Sequence, residues 1–176
     1  AVNVTTVFRD YPEYYDAEAQ YLMSHMDNPF AFSGLKYITK AEDSKKLNTF
    51  KEPCIIISAS GMCEAGRILH HLRYSIENPN NTILIVGFMA EHTLGRKLVD
   101  REEKIKIFGD EYDLKARVVK LNSFSGHADK NDLMNFAQQV GRQADVFLVH
   151  GEEPQSQPFA ASLRGATFRQ FLGSAG

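Results

Sequence analysis

Two histidines stand where a strand should give way to a loop. His127 lies in Asn122-Ser123-Phe124-Ser125-Gly126-His127-Ala128-Asp129, and His150 opens His150-Gly151-Glu152-Glu153. An imidazole can ligate a metal, and it can transfer a proton near neutral pH. If strands 117–121 and 145–149 are neighbours, they lie about 5 Å apart. The crossover joining them then sets both imidazoles on one edge of the sheet, within reach of a shared ligand. The alternative is two unrelated histidines, each satisfied by hydrogen bonds. His25, His70 and His71 fall inside predicted helices with no partner at ligand spacing, and read as structural or exposed.

A second candidate is Ser58-Ala59-Ser60-Gly61-Met62, where an apolar strand runs into a helix. Glycine permits the tight turn, and a helix N-terminus offers amide N–H groups to a phosphate. The other reading is an ordinary strand-to-helix turn. The spacing from Gly61 to Gly66 is that of a Walker loop, but Arg67-Ile68 replaces Lys-Ser/Thr, which argues against ATP. Glu64 in the first turn of that helix would partly oppose an anion. Arg67 either offsets it or is a solvated arginine. A third strand end, Gly87-Phe88-Met89-Ala90-Glu91-His92-Thr93, offers a cleft lining in Phe88 and Met89, or core packing, and an N-cap in Thr93.

These positions require alternating strands and helices. Residues 2–27 read as helix interrupted at 10–13, 35–39 as a short strand and 42–50 as a short polar helix. The apolar runs 54–58, 82–86 and 145–149 read as strands buried on both faces. Helices are expected over 64–76, from 94, over 129–140 and over 156–164, with further strands at 117–121 and 167–171. Gly109-Asp110 marks a hairpin, and Asp129 with Asp132 marks a capping box. The alternation predicts an α/β fold with a mainly parallel sheet, whose ligands sit beyond the carboxyl ends of the strands.

The 176 residues carry 20 Lys+Arg against 22 Asp+Glu, a net charge of −2, so no global field draws the chain to nucleic acid. Any such contact needs a local patch, for which Arg67, Arg73, Arg96 and Lys97 are candidates beside their reading as solvated helix faces. A hydrophobic fraction of 43% excludes a disordered tail, and two cysteines, Cys54 and Cys63, make no disulfide framework and suit a reducing cytoplasm. No apolar run reaches membrane-spanning length. Periodic structure begins within a few residues of Ala1, which suggests a piece of a longer protein.

Taken in order, Ser58-Ala-Ser-Gly-Met62 with Gly66-Arg67, Val86-Gly87-Phe88 with Gly95, Phe124-Ser-Gly-His127-Ala-Asp129, and Leu148-Val-His150-Gly-Glu152 resemble the β-CASP branch of the metallo-β-lactamase superfamily. That branch holds RNA- and DNA-processing nucleases, among them ribonuclease J and the endonuclease subunit of the pre-mRNA cleavage machinery. The resemblance covers roughly residues 1–165. It implies a Rossmann-like β-CASP cap domain over 1–115 and, over 116–176, the C-terminal return of a metallo-β-lactamase fold.

The resemblance further implies a cytoplasmic ribonuclease with two zinc ions and single-stranded RNA in the cleft between the domains. His127 is then general acid and phosphate contact, and His150 a zinc ligand. Ser58, Ser60, Gly61, Met62, Arg67, Ser125 and Gly126 would meet RNA or its phosphates. The family's His-x-His-x-Asp-His signature is absent from this chain. A catalytic zinc takes about three protein ligands, so the implied partner is a missing N-terminal metallo-β-lactamase portion, and the chain alone is expected to be inactive. An uncovered apolar face could also draw in a second copy. Two rivals stand: a DNA-directed nuclease of the same branch, and a stand-alone Rossmann-like module binding a nucleotide or partner.

Overall fold

The computed structural model describes residues 2–25, 28–124, 126–141, 144–149, 151–166 and, for its backbone, 169–172. The chain divides into two compact units, Ala1–Ser125 and Gly126–Gly176.

The first unit opens with α1 (Val2–Asp10), a 3-10 turn at Pro12–Tyr14 and α2 (Ala17–His25). Neither helix buries a residue. Pro12 starts the 3-10 turn, where its missing N–H costs nothing. After α3 (Ala41–Leu47), the core begins with α4 (Arg67–Ser75), β1 (Thr82–Ile85) and α5 (Leu94–Val99). The hairpin β2 (Lys104–Ile107) and β3 (Asp110–Asp113) follows, and β4 (Arg117–Lys120) closes the unit. β4 pairs parallel to β1, with Ile83 opposite Val118. Leu72, Ile76, Leu94, Leu98, Ile105 and Ile107 form the main core between α4, α5 and the hairpin.

The hairpin shows why these elements form. Ile105 and Ile107 point inward, and Lys104 and Lys106 point outward to Asp113 and Glu111. Its turn is Phe108-Gly109, both at positive φ, one residue before the expected pair; two such residues give the twist that matches the strands.

The second unit contains α6 (Lys130–Val140), β5 (Asp145–Leu148), α7 (Glu153–Gly165) and β6 (Arg169–Leu172). β5 pairs parallel to β6 across α7. Ala137 and Leu163 pack with Met134, Val146, Leu148 and Phe159 as its core. The capping box of Asp129 and Asp132 is present as expected, with both reciprocal hydrogen bonds formed. The α/β class with parallel pairing is thus realised.

Several expectations are corrected. Residues 54–58 form no ladder, and Ile55 and Ile57 are 91% and 85% exposed. A strand buried on both faces needs a layer on each side, and among the described residues nothing covers these side chains. β1 and β5 are paired strands, but Leu84, Val86, Phe147 and Val149 are exposed, so each has one bare face. Segment 35–39 is not a strand, because the Ile38 and Thr39 carbonyls accept from the Arg67 guanidinium at 2.8 and 2.5 Å instead of from a neighbouring strand. The helix expected over 64–76 begins at Arg67, which leaves Glu64 in the preceding loop. Each of β4 and β5 has its ladder partner within its own unit, β1 and β6.

No helix among the described residues is long and apolar enough to cross a membrane.

Candidate functional site

The loop 58–66 is closed on itself before it meets anything else. Ser60 N–H donates to the Ala65 carbonyl at 3.1 Å, Cys63 N–H to the Ser60 carbonyl at 3.2 Å, and Ala65 N–H to Ser60 Oγ at 3.3 Å. The Ala59 carbonyl accepts from Ile68 N–H in the first turn of α4. Gly66 makes this possible: it sits at φ +85°, and a Cβ there would lie 2.8 Å from the Ala59 carbonyl oxygen.

The loop then pins the segment leading into α5. The Met62 carbonyl accepts from Gly95 N–H at 3.0 Å, and Met62 Sδ accepts from Ala90 N–H at 3.4 Å. The Glu64 carboxylate accepts from Leu94 N–H, at the first residue of α5. Thr93 caps the same helix, its Oγ1 accepting from Arg96 N–H at 3.1 Å. Glu64 therefore serves the dipole of α5 and not that of α4. Gly95 is required by close approach, since a Cβ would stand 2.3 Å from Met89 Sδ and 3.0 Å from the Met62 oxygen. The two strand-end motifs, around Ser58-Met62 and Gly87-Gly95, are one joined structure.

Of the expected phosphate contacts, Gly61 is exposed at the crest of this loop, with nothing within 4 Å of a would-be Cβ. Ser58 and Met62 are half-buried. Arg67 is engaged with the Ile38 and Thr39 carbonyls. Arg73 pairs with Asp110 at 3.4 Å, and Arg96 with Asp100 at 2.8 Å, so these two arginines each have a local carboxylate. Burial, with the Glu64 carboxylate adding to it, pushes the Cys63 thiol up, away from a reactive thiolate.

His127 and Gly126 are exposed in the second unit, just ahead of the Asp129 cap of α6. Asp129 Oδ1 accepts from Asn131 N–H at 2.7 Å and Asp132 N–H at 2.9 Å, which fixes the direction from which the chain enters the helix. Ser125 and His150 lie outside the described residues.

Among the described residues, no group of three or more His, Cys, Asp or Glu side chains could hold a metal ion. By the measure of about three protein ligands for a catalytic zinc, these residues do not fit the implied metal.

Sequence reasoning missed a polar cluster under α3. His71, 8% exposed, bonds Ser44 Oγ through Nε2 at 3.1 Å and Asn48 Oδ1 through Nδ1 at 2.8 Å. The signal was present as Ser44 and Asn48 at i, i+4 on one face of a polar helix. His70, by contrast, is exposed, its ring tilted 39° to that of Phe108 with the centroids 4.7 Å apart.

Residues 1–98 match the model of the Beta-Casp domain, and residues 111–171 match that of the Zn-dependent metallo-hydrolase RNA specificity domain. The chain is 36% identical over 153 residues to Ribonuclease TTHA0252 of Thermus thermophilus, covering 87% of this chain and 35% of that protein. It is 32% identical over 162 residues to the RNase J-like protein of Methanocaldococcus jannaschii, covering 92% and 36%. It is 30% identical over 167 residues to the Transcription termination factor FttA of the same organism, covering 91% and 26%. The chain thus spans about a third of the length of the first two relatives. With the Beta-Casp match extending over more than half of its residues, the chain belongs to the Beta-Casp family.

Proposed function

We propose that this chain is the RNA-handling part of a zinc-dependent ribonuclease. The observation that carries this reading is the succession of two matches on one chain, a Beta-Casp domain and then an RNA specificity domain of Zn-dependent metallo-hydrolases. Residues 1–115 act as the cap and 116–176 as the returning segment. The remaining metal ligands belong to the part of the relatives' length that this chain does not span, and His150 is one contribution from this side. The substrate is single-stranded RNA, and the compartment is a reducing cytoplasm.

His127 is the group whose chemistry this chain supplies. Its capped position ahead of α6 holds an exposed imidazole at a fixed point on the backbone. When a water oxygen bonds to phosphorus and the P–O bond to the leaving oxygen breaks, the bonding pair departs with that oxygen. A protonated His127 delivers the proton it needs. Ser58, Ser60, Gly61, Met62, Ser125 and Gly126 line the path of the RNA, and Gly61 can approach a phosphate because it carries no side chain. Arg67 joins them when its guanidinium is not held by the 38–39 carbonyls.

The test uses the polypeptide that carries this segment together with the rest of the relatives' length. His127→Ala should lower kcat by about 10²–10⁴ while RNA binding persists. Zinc-dependent hydrolysis of RNA by the 176-residue chain alone, surviving His150→Ala, would overturn the reading.

A further inference from the structure

The Ser44, His71 and Asn48 cluster has the connectivity of a nucleophilic relay: hydroxyl to imidazole to amide oxygen. It does not have the setting of one. Ser44 is 6% exposed, and it lies within α3 against α4. A buried hydroxyl without access for a substrate holds structure together.

What it holds is unusual in its composition. Ser44 is the only buried residue of α3. Among the described residues, no apolar cluster of the first unit includes an α3 side chain. Among the described residues, two polar ties connect segment 38–48 to α4. One is the Arg67 guanidinium on the Ile38 and Thr39 carbonyls. The other is the His71 ring, which reaches Ser44 within α3 and Asn48 at its C-cap.

We propose that His71 is a proton-sensitive latch: the neutral imidazole holds segment 38–48 on α4, and protonation releases it. Asn48 presents its carbonyl oxygen, so Nδ1–H is the donor there and Nε2 accepts from the Ser44 hydroxyl. A second proton on the ring does not by itself break the Ser44 contact, because the hydroxyl can rotate and accept. The penalty is the burial of charge. The ionisable groups that face the ring from α4 are His70 and Arg67, both of which repel an imidazolium. From α3 and its C-cap the ring meets Ser44 and Asn48, while Asp43 is turned to Lys46 at 2.7 Å. On the hairpin side of α4, Asp110 is paired with Arg73. Among the described residues no carboxylate bonds the His71 ring to compensate its charge.

Burial first, then His70 and Arg67, hold the His71 pKa below the ordinary 6.5. The latch is at full strength above that value and weakens as pH falls below it, until the lowered midpoint is passed. Opening also takes the Ile38 and Thr39 carbonyls away from Arg67, leaving its guanidinium available to an anion. The latch itself does not depend on the ribonuclease reading.

The experiment is amide hydrogen exchange on the 176-residue chain between pH 7.5 and 5, corrected for intrinsic rates and referenced to the β2–β3 hairpin. In parallel, the His71 ring is titrated by NMR. The opening constant of residues 41–48 should rise as pH falls, by about tenfold for each full unit by which the latch lowers the midpoint. The NMR midpoint should lie below 6.5. His71→Gln, which keeps a donor and an acceptor but does not titrate, should make the opening constant independent of pH. His70→Gln should leave the pH dependence in place. An opening constant that does not change in the wild type, or one that changes equally in His71→Gln, or a dependence that disappears in His70→Gln, overturns the latch.

Discussion

The Glu64 carboxylate accepts a hydrogen bond from the backbone N–H of Leu94, so a loop residue caps a helix 30 positions further along the chain. Without this bond the loop 58–66 and the entry to α5 would be joined mainly through Met62. Glu64→Ala should lower stability by about 0.5–2 kcal/mol, the range for losing a helix cap, and Glu64→Gln by less, since its amide oxygen can still accept. Urea midpoints of the three proteins check this. Equal midpoints would show that the bond contributes nothing.

Two glycines in the same loop should respond unequally. Gly66 is at φ +85° with the Ala59 carbonyl oxygen 2.8 Å from a would-be Cβ, whereas Gly61 has open space around it. Gly66→Ala should destabilise by about 1–3 kcal/mol, through backbone strain and overpacking. Gly61→Ala should stay within about 0.5 kcal/mol of the wild type. Thermal unfolding resolves the two. In the complete protein, Gly61→Ala should nonetheless weaken RNA binding, because a methyl group then occupies the crest of the loop.

The uncovered apolar run gives a further test. Ile55 and Ile57 are exposed, whereas Ile105 is fully buried in the core. Ile57→Thr should change stability by less than about 0.5 kcal/mol, whereas Ile105→Ala should cost about 2–5 kcal/mol. Ile57→Thr should also raise the concentration at which the chain aggregates, because an exposed apolar strand-former is an aggregation hazard. Light scattering during concentration measures that. A loss at Ile57 comparable to that at Ile105 would mean the run is buried after all.

Local signals were legible in the sequence, and non-local ones were not. Thr93 and Asp129 cap the expected helices, and the hairpin forms around Gly109, because caps and turns are set by a few adjacent residues. The burial of 54–58, 82–86 and 145–149 was overstated. Apolar composition tells what a strand could bury, but the covering layer is contributed by other parts of a fold. Glu64 was assigned to the wrong helix for a related reason: Gly66 at positive φ delays the start of α4 to Arg67, and the carboxylate then meets α5. The pairing of His71 with Ser44 and Asn48 spans 27 and 23 residues, so the local i, i+4 spacing of Ser44 and Asn48 does not by itself name the histidine as their partner.

The N-cap of α6 connects fold to chemistry. Asp129→Ala should fray the first turn of α6, costing about 1 kcal/mol, and Asp129→Asn should retain most of the cap. In the complete protein, Asp129→Ala should lower kcat for RNA more than it raises KM, because it disturbs the placement of His127 and leaves the loop 58–66 untouched. Circular dichroism and steady-state kinetics on the two variants measure both effects. Unchanged kcat with a frayed helix would separate His127 from the reaction.

The central claim is that this segment serves the hydrolysis of RNA. Its most direct measurement compares single-stranded RNA and DNA of one sequence as substrates for the complete protein with zinc, with and without His127→Ala. The account predicts cleavage of RNA well above that of DNA, and a fall in RNA cleavage of about 10²–10⁴ in the variant. Equal cleavage of both strands, or full activity without the His127 imidazole, would contradict it.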